Sequence, residues 1–89
     1  MAELIQEYTN PLIEQSGIIY IARAYGRERS DGTWEAWLEF HPAGGAGEIL
    51  RTDQETSQPN RSSVQYWASG LEPVYFEGAF SRALRSSSH

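Results

Sequence analysis

Four side chains between Ala22 and Ser30 are the best equipped in this chain to meet another molecule: Arg23, Tyr25, Arg27 and Arg29. Alternate positions of an extended chain share one face, so these four form a basic stripe interrupted by an aromatic ring. Single-stranded nucleic acid is bound by such platforms, with bases stacked on the ring and guanidinium groups on phosphates. An aromatic pair among arginines also suits a protein partner, with Tyr25 and Trp37 as anchors. The competing reading is structural. Glu35 and Glu39 stand across the hairpin from Arg27 and Arg23, where opposite charges each contribute a few tenths to ~1 kcal/mol of sheet stability. Those glutamates would also repel phosphate. The structural role is preferred for the arginines, a protein partner comes next and nucleic acid last.

The other candidates are weaker. His41 is the one histidine outside the C-terminal tail, and no nucleophile, carboxylate pair or second ligand is spaced to converge on it. Gly44-Gly45-Ala46-Gly47 lacks the Lys-Ser/Thr ending of a phosphate loop and reads as a flexible hairpin tip. Asn60, Arg61 and Ser62 lie at an expected helix N-terminus, where free N–H groups attract anions, although most helices use such residues to cap themselves. The expectation is no catalytic residue, no metal and no cofactor.

The stripe must be positioned by a hairpin. Residues 18–29 and 33–41 alternate in type on either side of Ser30-Asp31-Gly32. A three-residue loop with Gly32 in the left-handed conformation sets Arg27 opposite Glu35, Tyr25 opposite Trp37 and Arg23 opposite Glu39. The other face then pairs Gly26 with Ala36, Ala24 with Leu38 and Ala22 with Phe40. A two-residue turn would mix apolar and polar faces, because a one-residue slip inverts every side chain. Tyr25 and Trp37 are expected to be exposed on the polar face.

Beyond the hairpin, residues 47–54 predict a third antiparallel strand, polar on one side as suits a sheet edge. Val64, Trp67, Ala68 and Leu71 recur at helical spacing, predicting a helix over 60–69 with Asn60 as N-cap and Gly70 as a left-handed C-terminal residue. Residues 73–85 fit a helix or a strand, with Pro73 at a helix start favouring the helix. Residues 1–17 read as an undetermined N-terminal arm, in which Leu12 and Ile13 could add a strand. Residues 86–89 read as a disordered tail.

With 89 residues, the chain supports one modest core, and having no cysteine it must rely on its three Trp, five Tyr and three Phe. A formal charge of −5 argues against broad binding to nucleic acid or anionic membrane. No long apolar run or secretory leader is seen, so a cytoplasmic location is expected.

The order strand, strand, strand, helix, with Glu55-Thr56-Ser57-Gln58 leading into the helix, resembles HicB-type antitoxins over about Tyr20 to Leu71. The resemblance implies a small, degenerate RNase-H-like domain that blocks a toxin partner. The chain lacks that family's Pro-Asp-plus-Gly segment and a separate DNA-binding tail, so no family site residues carry over. The expected fold is α+β, a three-stranded antiparallel sheet packed by the 60–69 helix, with residues 18–85 as one domain. The expected function is a non-enzymatic protein-interaction module, working through a protein partner or a homo-oligomer, with nucleic-acid binding as the alternative.

Overall fold

The computed structural model describes residues 1–86. Its α+β architecture is one antiparallel sheet with two helices on a single face. The strands are β1 (Glu3–Gln15), β2 (Ile18–Glu28), β3 (Trp34–Pro42), β4 (Leu50–Arg51) and β5 (Thr56–Gln58), followed by α1 (Arg61–Ser69) and α2 (Pro73–Ser86). The sheet order is β1-β2-β3-β4, and β5 also pairs with β3.

The central hairpin has the expected register. Gly26 pairs with Ala36, Tyr25 with Trp37 and Arg27 with Glu35. Its turn holds Gly32 at φ 88° and closes with Arg29 N–H donating to Thr33 O at 2.7 Å. Asp31 Oδ1 accepts from the Thr33 N–H at 3.0 Å, which locks the loop from its own side chain.

Residues 1–17 are not an arm. They contribute the 13-residue edge strand β1, joined to β2 by Ser16-Gly17 with φ 54° and 82°. Two positive φ values are the signature of a type I′ hairpin turn, whose twist matches that of the strands it joins. Between the pairs Tyr8↔Ala22 and Ile13↔Tyr20, residues 9–12 stand against Ile21 alone. This bulge interrupts the ladder between β1 and β2.

Of the expected third strand, 47–54, only Leu50–Arg51 forms a strand, β4, and the separate strand β5 follows beyond its expected end. Thr52 is the cause. Its hydroxyl accepts from Leu38 N–H at 3.0 Å, substituting for a backbone carbonyl, while Thr52 N–H donates to Leu38 O at 2.9 Å. The chain leaves the ladder there and rejoins it at Thr56↔Ala36.

α1 begins as read, with Asn60 Oδ1 accepting from Ser63 N–H at 2.9 Å. Gly70 is not left-handed: its φ is −97°, and its N–H donates to Trp67 O in a tight last turn. Residues 73–86 are helical, because Phe76, Ala79, Phe80 and Ala83 lie at helical spacing and all four are buried. Ser86 therefore belongs to α2, and the rest of the expected tail lies outside the described residues.

Small residues on β2 and β3 admit aromatic rings from the helices. Ala22 and Ala24 line the inner face beside Phe40 and Leu38, and Phe80 packs edge-on to Phe40 at 5.1 Å. Tyr8 meets Phe76 at 4.6 Å and donates its hydroxyl to Ala68 O at 2.7 Å, so the buried phenol is satisfied.

Candidate functional site on the outer face of the sheet

Both helices pack on the face formed by Tyr20, Ala22, Ala24, Leu38 and Phe40. The opposite face carries the odd-numbered residues of β2 and β3, and no element among the described residues covers it. β1 adds Leu4 and Glu7 to this face, opposite Tyr25 and Arg23, and β4 adds Arg51 opposite Glu39.

Trp37 corrects the reading of the aromatic pair. It was expected to be exposed, yet it is 2% exposed although it points away from the helices. Side chains roof it. The Arg51 guanidinium lies 4.3 Å from its ring centroid, Arg27 lies at 5.6 Å, and Tyr25 stacks beside it at 6.4 Å. Its indole N–H donates to Glu39 Oε2 at 2.9 Å, so the polar edge is also satisfied. Guanidinium planes suit this role because they stack on indole while their edges stay hydrated. Half-buried Tyr25 is the part of the pair that a visitor can reach.

The arginines are engaged, though not always with the expected partner. Arg27 forms an ion pair with Glu35, its Nε donating at 2.9 Å, and this guanidinium holds the Glu35 carboxyl below its usual range. Arg23 does not reach Glu39, its register partner. It donates instead to Glu7 Oε1 at 2.8 Å and to His41 Nδ1 at 3.1 Å, the Glu7 contact raising its affinity for its proton. Glu39 turns to His41 Nε2, 2.9 Å away. Arg29 ties the turn to the β5 approach, donating to Ser57 Oγ at 2.8 Å and to Gln54.

His41 is correspondingly not a free strand-end residue. It is wedged between Arg23 and Glu39 and stacks on Tyr25 with centroids 6.1 Å apart. Among the described residues, no three His, Cys, Asp or Glu side chains gather as a metal site.

The candidate anion site at Asn60, Arg61 and Ser62 is already used. Asn60 caps the helix, and Arg61 Nε donates to Glu3 Oε2 at 2.7 Å, tying α1 to β1. Sequence reading missed Glu3, Leu4, Glu7 and Arg51, because their placement depends on pairings across the bulge and the broken edge. The signal available for Leu4 and Glu7 was the β-prone run itself. A separate shallow groove of about 440 Å³, lined by Gln58, Ser62, Ser63, Tyr66 and Trp67, lies along α1, where Tyr66 is 83% exposed.

Comparison of the chain with protein-family models, with curated proteins and with solved structures returned no match. Among the described residues, no helix is long and apolar enough to cross a membrane.

Proposed function

We propose that this chain is a small intracellular, non-enzymatic interaction module that acts through a protein partner or a second copy of itself. One observation carries the reading: no element among the described residues covers the sheet face opposite the helices, where Tyr25 and Leu4 stand beside paired charges and Ile19 is exposed further along β2. Partly exposed aromatic and aliphatic side chains ringed by arginine and glutamate have the composition of a protein-docking patch. An antitoxin-like role, with the patch occluding a toxin, is one form of this reading, supported by the element order alone.

Nucleic acid has less support as the occupant. Arg23 and Arg27 already face glutamates, which would have to be displaced before phosphates could be neutralised.

The test is light scattering after size exclusion across a wide concentration range, combined with affinity capture, for wild type and Tyr25→Glu. Self-association or a captured partner lost in Tyr25→Glu is the expected result. A strict monomer that captures nothing beyond what Tyr25→Glu captures would overturn the reading.

A further inference from the structure

Read across the sheet from β1 to β4, the outer face carries one continuous row of Cα partners: Glu7, Arg23, Glu39, Arg51. The signs run minus, plus, minus, plus. The parallel row further along the hairpin, Arg27 then Glu35, repeats the central plus and minus in the same two strands. β2 thus presents a positive stripe and β3 a negative one, with a negative residue outside the first and a positive residue outside the second.

Such a pattern is antisymmetric about the line between β2 and β3. A two-fold axis along that line, in the plane between two stacked sheets, reverses the order of each row. Reversal places every charge over its opposite: Glu7 over Arg51, Arg23 over Glu39 and Arg27 over Glu35. Tyr25 comes to lie over the Arg51-roofed Trp37. Resting on the interaction-module reading, we propose that the outer face docks a second copy of this chain, face to face, about a two-fold axis between β2 and β3.

A second observation points to the same occupant. Arg23 and Arg27 have carboxylate partners within the chain, whereas Arg51 forms no ion pair among the described residues and rests on the Trp37 ring. Its N–H donors are available to an incoming carboxylate. The stacked copy supplies one in Glu7, which is well exposed at the opposite margin of the face.

Size limits the strength of this contact. β2 has 11 residues and β3 has 9. With strands about 4.8 Å apart and a rise of about 3.4 Å per residue, the face spans roughly 600 Å². That falls below the roughly 800 Å² per partner of a standard stable interface. The dimer is therefore concentration-dependent. Because opposed charges align it, salt weakens it, by on the order of tenfold in dissociation constant between 0.05 and 0.5 M NaCl.

The decisive experiment uses complementary charge reversals, followed by sedimentation equilibrium at low salt. Arg51→Glu alone sets Glu against Glu7 of its twin, and Glu7→Arg alone sets Arg against Arg51 of its twin, so each is expected to be monomeric. Mixed one to one, the two variants restore opposite charges at both margins and are expected to form a heterodimer. No effect within a single chain produces that rescue. Arg27→Glu with Glu35→Arg is a second such pair, should either first variant fail to fold by circular dichroism.

Wild-type dimers that persist in the single variants, or a mixture that stays monomeric where wild type dimerises, would overturn the face-to-face arrangement. In that case self-association itself survives and is assigned to another surface, such as the free edge of β1. A wild type that is monomeric at every concentration would overturn the dimer and leave the interaction-module reading to a different protein partner.

Discussion

At the residue scale, the hydrogen-bond chemistry around His41 determines its tautomer. Arg23 can only donate, so Nδ1, 3.1 Å from its guanidinium, must accept. The proton then belongs on Nε2, where it is donated to Glu39 at 2.9 Å. Long-range proton–nitrogen NMR of the neutral ring is expected to show the Nε2–H form, and an Nδ1–H form would contradict this geometry. Arg23→Gln removes the obligate donor and should broaden His41 into a tautomer mixture. None of this could be read from the chain. The Arg23–Glu39 register was legible because the Asp31–Thr33 turn is local. The side chains then chose Glu7 and His41 over that partner, and Glu7 lies on a strand whose pairing could not be counted. Trp37 is a similar case, since its burial depends on Arg51 arriving from a different strand.

At the element scale, the hairpins differ in how well their turns fit. Gly32 and Gly17 hold positive φ without strain, but Ser16 is the one non-glycine residue of the described chain at positive φ, 54°. Asn tolerates this conformation better than Ser, and Asn-Gly is a favoured type I′ pair. Ser16→Asn should stabilise the protein by a few tenths to about 1 kcal/mol, a gain measurable by urea unfolding. A loss instead would show that the Ser16 backbone is held in some other way. The same elements show where sequence reading ends. β2, β3 and α1 announce themselves through unbroken periods of two and 3.6. β1 conceals its period because residues 9–12 bulge out against Ile21, and the 47–54 segment conceals its break because a Thr52 hydroxyl imitates a carbonyl. α2 was ambiguous until Phe76 and Phe80 had Tyr8, Tyr20 and Phe40 to pack against.

At the scale of the whole molecule, linkage bounds stability on both sides of neutral pH. Arg61 lowers the Glu3 carboxyl, Arg27 lowers Glu35, and hydrogen bonds from Thr33 lower Asp31. A carboxyl with a depressed folded pKa contributes stability above its unfolded value and loses it as pH falls through the folded one. Stability should therefore decline as pH falls below the ordinary values of 3.8 and 4.5. On the alkaline side, burial and the neighbouring Glu55 carboxylate push the Tyr75 phenol from 10.0 to about 12. The unfolded chain then gives up that proton first, so the Tyr75 contribution is lost as pH rises from 10.0 toward about 12. Thermal melts across pH 9 to 12 should show a smaller alkaline loss for Tyr75→Phe than for wild type. Equal losses would place the alkaline sensitivity elsewhere, with Tyr8, whose phenol burial also pushes up, as the next group to replace.

The clamps between β1 and α1 have a consequence during synthesis. Glu3 is tied to Arg61 across 58 positions, and Tyr8 to the Ala68 carbonyl across 60, so the two ends of one helix grip the first strand. On a ribosome, β1 can pair with β2 early, but that hairpin has no apolar cover until residues past 68 leave the exit tunnel. Between the emergence of β2 and that of α1, the nascent chain therefore holds a hairpin whose apolar face is open. Closure is a late event for this sheet, because it joins segments 58 and 60 positions apart.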